Sequence, residues 1–169
     1  MVIDIGTGTG QSVLRRARRE PSTLVIGIDA EASAMAAASR SAAASVKKGG
    51  LPNSVFLVES AERLPGPLAN TADLVTIALP WGSLMRGVMA GEVDRVAATI
   101  HEGGELLLFL AELERGQVDD LVSRLGARGL NSVEIREADR SDAQTLSSAW
   151  ARRLGIPGSR PAWIIRLRR

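Results

Sequence analysis

Apolar residues fall along this chain in short blocks that alternate between two periods. Val2-Ile3-Asp4-Ile5, Leu24–Ile28, Ser54–Val58, Asp73–Leu79, Glu105–Leu110, Ser132–Arg136 and Ala162–Leu167 are compact, β-branched-rich runs bounded by Gly, Pro, Asn or Asp, and read as strands. Between them the apolar spacing widens to the helical period. It does so in Ser12–Arg19, in the alanine-rich stretch 32–46, in Glu92–Ile100 and in Gln117–Arg128. In the last of these Val118, Leu121, Val122 and Leu125 share one face, and Gly129 stops the helix. Thr145–Gly155 reads as a short basic helix carrying Trp150, and His101–Gly104 as a turn with His101 in solvent. Strands and helices thus alternate almost throughout. This predicts an α/β fold, a doubly wound and mostly parallel sheet with a late antiparallel strand pair.

Composition narrows the function classes. The chain of 169 residues, 45% hydrophobic and 24% charged, has the makings of one globular domain over 1–169. With no cysteine, disulfides, thiolate catalysis and Cys-ligated metals are excluded, and with one histidine so are His-rich metal sites. No metal is expected. No apolar run reaches membrane-spanning length and no signal peptide precedes the first strand. The lack of cysteine fits a cytoplasmic protein. The net charge of +2 is mild but uneven. No acid follows Asp142, whereas Arg152, Arg153, Arg160, Arg166, Arg168 and Arg169 do. Such a tail is either a footprint for a polyanion or a solvated face balanced by acids from elsewhere.

The candidate chemistry begins where the first strand turns into the first helix. Asp4-Ile-Gly-Thr-Gly-Thr-Gly10 sets glycines at alternate positions, where a Cβ would obstruct a ligand, just before a helix N-terminus. A dinucleotide fingerprint, G-x-G-x-x-G, would need glycine at position 11 or 13, which are Gln11 and Val13. The spacing D-x-G-x-G-x-G instead resembles the first motif of Rossmann-like S-adenosylmethionine (SAM) methyltransferases; a ligand-free Gly-rich turn is the plain alternative. Asp29 lies 19 residues past Gly10, where such folds place an acid against ribose hydroxyls, or else it caps the next helix. Ala61 is small enough to lie against an adenine ring, beside Glu62. Trp81, between Pro80 and Gly82, is either a core residue or an aromatic held at a fixed angle by a stiff turn. Lys47 and Lys48 precede Gly49-Gly50, as helix-capping charges or as phosphate contacts.

Three separate stretches resemble one family. Asp4-Ile-Gly-Thr-Gly, Leu79-Pro-Trp-Gly-Ser-Leu-Met-Arg-Gly-Val88 and Ser147-Ser-Ala-Trp-Ala-Arg-Arg-Leu-Gly155 are similar to the kanamycin–apramycin resistance methyltransferases, which modify N1 of adenine 1408 in the decoding site of 16S rRNA. Lys48–Asn53 and Ala61-Glu62 look like the family's too. The resemblance implies a class I SAM-dependent methyltransferase fold, SAM as cofactor, and the 30S ribosomal subunit as partner of a monomer. Carried over by position, Asp4, Gly6, Gly8, Ser12, Asp29, Ala61 and Glu62 would hold SAM, and Ala78, Leu79, Pro80 and Ser83 would close over it. Trp81 and Trp150 would sandwich the target adenine, with Ser148 shaping the pocket. Lys47, Lys48, Arg152, Arg153 and Arg160 would grip ribosomal RNA. The sequence departs from the family in four places. Thr9 stands where Asp is common, the chain starts at the first strand where the family carries an N-terminal β-hairpin extension, the linker after the fifth strand is short, and fewer lysines precede Gly49 than is usual.

The chemistry agrees with this set. Adenine N1 carries an in-plane lone pair, so no general base is required and alignment is the main requirement. Methylation makes the base cationic, which two indoles would stabilise by roughly 0.5–2 kcal/mol each. Rival readings on the same fold are a methyltransferase for transfer RNA or a small molecule, or a non-catalytic SAM- or RNA-binding protein.

Overall fold

The computed structural model describes residues 1–139, 141–142 and 161–169. The expected helix at 145–155, and with it Ser148, Trp150, Arg152, Arg153 and Arg160, lies outside the described residues.

Buried β-branched runs form the centre of the molecule. The strands are β1 (Val2–Ile5), β2 (Val25–Asp29), β3 (Ser54–Val58), β4 (Ala72–Ala78), β5 (Ile100–Ala111), β6 (Asn131–Glu137) and β7 (Ala162–Arg168). They make one sheet in the order β3-β2-β1-β4-β5-β7-β6. The first five run parallel, and β7 is antiparallel to both β5 and β6. The expected α/β sheet with its late antiparallel pair is therefore present.

Helices α1 (Gln11–Arg19), α2 (Ala32–Ala42), α3 (Gly82–Ala90), α4 (Asp94–Thr99) and α5 (Arg115–Gly126) cover the sheet on both sides. Ile3, Ile5, Ile28, Val75 and Ile77 share a core with Val88 of α3, Val96 of α4 and Val118, Leu121 and Leu125 of α5. On the opposite face Val2 and Val25 pack on Val13 and Ala17 of α1, and Leu14 meets Ala38 and Ala42 of α2. Central strands covered on both faces explain why their sequence reads as continuous apolar runs. Trp163 of β7 is buried; its indole N–H donates to the Leu113 carbonyl at 2.8 Å, and the Arg115 guanidinium lies 5.5 Å from the ring centroid.

Several local expectations change. His101–Gly104 is no turn but part of β5: the amide of Gly103 donates to Arg169 and that of Arg169 to Gly104, extending the antiparallel pairing. The β4 partners accommodate this with a register shift between Ala72 and Leu74. His101 is only partly exposed and its Nε2 sits 3.0 Å from Asp73 Oδ1. Helix α2 ends at Ala42, short of the lysines, and Lys47 and Lys48 occupy a separate 3-10 turn closed by Gly49 at φ 84°. Gly50 is required there, since a Cβ would meet the Ala44 carbonyl oxygen at 1.7 Å. Helix α3 is masked in the sequence by the Pro-Trp-Gly turn and by Gly87; packing of Val88 and its neighbours against the core decides it. No helix among the described residues is long and apolar enough to cross a membrane.

The arginines of β7 are engaged within the protein. Glu105 accepts from Arg166 and Arg168, each at 2.7 Å, and Arg166 also reaches Glu134 at 3.4 Å. Arg169 donates to the carbonyls of Ala97 and Ile100. For these three residues the balanced face is the correct reading, not a free polyanion footprint.

Candidate functional site: a cleft at the carboxyl ends of β1, β2 and β4

The order β2-β1-β4 puts the switch in winding direction at β1, and a parallel sheet opens a crevice at that point. The loop after β1 turns upward on three glycines in the left-handed region, Gly6 at φ 71°, Gly8 at 55° and Gly10 at 70°. Their alternation in the sequence is the alternation of that backbone. Gly10 also touches its surroundings: a Cβ there would lie 2.5 Å from the Phe56 ring and 2.8 Å from Ala38 Cβ.

One carboxylate ties two loops together. Asp29 Oδ2 accepts from the Gly8 amide at 2.7 Å and Oδ1 from the Glu31 amide at 2.9 Å. Asp29 is thus not the cap of α2. Glu31 is, accepting from the Ser33 amide at 3.1 Å. Behind the glycine loop Asp4 is buried and fully engaged. Its Oδ2 accepts from Ser12 Oγ at 2.5 Å and Thr7 Oγ1 at 2.8 Å, and its Oδ1 from Thr76 Oγ1 at 2.6 Å. Asp4 and Ser12 therefore face a small void on the α1 side and hold the loop from behind, and Ala78 borders the same void.

The cleft itself has a volume of about 280 Å³. Gly6, Asp29, Ala61, Glu62, Pro80, Trp81 and Ser83 line it, together with Ile5, Ile28 and Leu84. Glu59, at the carboxyl end of β3 where the sequence places the crevice, lines it too; sequence reasoning does not single out Glu31, whose place just after β2 is the available signal. Hydrogen bonds from its own amide and from Ser60 hold the Glu62 carboxyl below the usual range, so it is ionised at neutral pH. Four acids and no Lys or Arg line this cleft among the described residues. A cationic ligand with a purine suits such walls: carboxylates for hydroxyls and a positive centre, and Ile5, Ile28 and Leu84 for an aromatic ring. A SAM molecule fits that donor set.

Past Pro80 a second cavity of about 480 Å³ opens, lined by Leu79, Pro80, Trp81, Met85, Arg86 and Glu112 among others. Leu79 and Glu112 both hold left-handed backbone, at φ 49° and 64°, uncommon for residues with a Cβ. Trp81 borders both cavities and is 77% exposed, so it is not a core residue. Lys47 and Lys48 are exposed and line neither cavity. They sit beyond the far end of α2, whose 11 residues span about 16 Å.

Comparison with known proteins agrees with this geometry. A family model described as NpmA, 16S rRNA (adenine(1408)-N(1))-methyltransferase, matches residues 1–168. A 16S rRNA (adenine(1408)-N(1))-methyltransferase of Streptoalloteichus tenebrarius is 34% identical over 91% of this chain and 80% of its own length. Among solved structures, a mutant of the enzyme of that name from Catenulisporales acidiphilia, with cosubstrate SAM, superposes with a TM-score of 0.88 at 29% identity, covering 99% of this chain and 84% of the other. The 16S rRNA methyltransferase KamB gives a TM-score of 0.87 at 31% identity, covering 99% and 86%. A motif-bearing loop, an acidic cleft at the switch point and a match along nearly the whole length place this chain in the 16S rRNA (adenine(1408)-N(1))-methyltransferase family.

Proposed function

We infer that this protein transfers a methyl group from SAM to N1 of adenine 1408 in the 30S subunit, and so gives resistance to aminoglycosides such as kanamycin and apramycin. It acts in the cytoplasm, as a monomer and without a metal ion. The observation that carries the reading is the position of Trp81, an exposed indole on the wall between an acidic cleft and a larger open cavity. Bound SAM supplies an electrophilic methyl on a sulfonium. On transfer the N1 lone pair of adenine would form the new bond as the S–CH3 bond breaks, its electron pair returning to sulfur. The protein's part is to orient. Asp29 and Glu62 hold the donor's polar groups, Ala61 leaves room for its adenine, and Gly6 and Ser83 lie close beside it. Asp4, Gly8, Ser12 and Ala78 serve the same site by shaping the loop and the end of β4. Leu79 and Pro80 fix the strand-four turn.

The target base must leave its stack to expose its Watson–Crick edge. Trp81 offers a face on which an unstacked purine rests, and in this reading Trp150 closes on the other face with Ser148 at the edge. Lys47, Lys48, Arg152, Arg153 and Arg160 meet the ribosomal RNA; the span of α2 asks for a footprint well beyond the target nucleotide. The test is methyl transfer to intact 30S subunits and to naked 16S rRNA, with reverse transcription reading the site. A stop at adenine 1408 on 30S subunits is expected. SAM binding without transfer to any RNA would select the non-catalytic alternative.

A further inference from the structure

We propose that Arg86, on the second turn of α3, grips a backbone phosphate next to the flipped nucleotide and so sets where the target base enters. This rests on the methyltransferase reading above and names a contact within it. Arg86 is exposed and lines the 480 Å³ cavity on the side of Trp81 away from the acidic cleft. Among the described residues its side chain has no ion-pair or hydrogen-bond partner, unlike Arg16, Arg115, Arg128, Arg136, Arg166 and Arg168. It is also the sole cation among the described residues that line these two cavities.

The charge arrangement assigns the two sides of Trp81 to different ligands. Asp29, Glu31, Glu59 and Glu62 on one side favour a cation and repel a phosphodiester. On the other side Arg86 offers a planar guanidinium whose donors match phosphate oxygens in pairs. Glu112 lines that cavity as well. Helix α3 starts directly after Trp81, and the Met85 amide donates back to the Trp81 carbonyl at 3.4 Å. The guanidinium and the indole are therefore carried by one rigid unit. A nucleotide whose base stacks on Trp81 has its own sugar–phosphate within reach of that side chain.

The experiment compares wild type, R86A, R86K and R86E for methylation of 30S subunits, 30S affinity across a salt series, and SAM affinity by calorimetry. R86A is expected to weaken 30S binding roughly tenfold and to reduce the slope of log affinity against log salt by about one contact. R86K should recover most of the affinity, R86E should fall below R86A, and SAM affinity should not change. Unchanged 30S binding and transfer in R86A and R86E would overturn the role of Arg86 while leaving the methyltransferase reading intact. Equal loss of SAM and 30S binding would overturn it as well, marking a structural residue. Absence of transfer by the wild type would instead remove the parent reading, and the assignment of Arg86 with it.

Discussion

Asp29 is the side chain on which most of the cleft converges, because its two oxygens hold the loops after β1 and β2 while it also lines the cleft. Asp29→Ala should weaken SAM binding by roughly 10–100-fold, the value of losing hydrogen bonds to a charged acceptor, as calorimetry would read. Trp81→Ala should leave SAM affinity near wild type and lower transfer to 30S subunits by roughly 5- to 150-fold, the range for one lost base stack. Trp150→Ala should behave likewise. Asn53, by contrast, serves the fold. Its side-chain amide donates to the carbonyls of Ala17, Glu20 and Thr23 at 3.0, 3.1 and 3.0 Å, closing the end of α1. Asn53→Ala should destabilise the protein by about 1–3 kcal/mol in urea unfolding without changing the cleft. At this scale the sequence is readable where residue type and chemistry are tightly bound. Asp29, Ala61, Glu62 and Trp81 all line the cleft, as their motifs imply. Asp4 and Ser12 are legible as important but not as supports, because nothing in their spacing reveals that Thr76, 72 positions away from Asp4, donates to the same carboxylate.

Among the elements, the glycine loop and the exit from β6 are the two most exposed to a single change. Gly10→Ala would force left-handed backbone on a residue with a Cβ and push that Cβ into Phe56 and Ala38. A loss of roughly 2–4 kcal/mol is expected, with SAM affinity falling in parallel. After β6, Arg136 makes paired bonds to Asp142 at 2.6 and 2.7 Å and a third to Glu134 at 2.7 Å. The Arg136 guanidinium holds the Asp142 carboxyl below its ordinary range. A depressed acid contributes stability above its unfolded pKa of about 4 and loses it as pH falls through the lower folded value. Asp142→Asn should thus lower the thermal midpoint at neutral pH and narrow the gap to wild type in strong acid. Element boundaries are clearest in the sequence where apolar period and stop signal coincide, as in α5. They are least clear where tertiary pairing overrides local signals, as in Ile100–Gly104 and in α3.

For the whole molecule, the fold class is legible because a central parallel sheet must be apolar on both faces, which leaves a pattern no surface element imitates. Charge is less legible. A count of arginines suggests a basic tail, yet Arg166, Arg168 and Arg169 are consumed by Glu105, Glu134 and two backbone carbonyls, partners that lie up to 72 positions away. Glu105→Gln should weaken the β5–β7 seam, release Arg168 to solvent and leave Arg166 with Glu134 alone, and the expected signature is a lower thermal midpoint with stronger, salt-sensitive non-specific RNA retention.

The strand order carries a consequence for how the chain matures. Because β7 lies between β5 and β6, the sheet acquires its penultimate member only after β7 itself has been synthesised. Until then one side of β5 stays open to any stray strand, and β6 has no neighbour to bond with. A nascent chain arrested before Ala162 should therefore be sticky and protease-sensitive across 131–137 as well, so that a nonsense change just ahead of β7 would remove two strands at once.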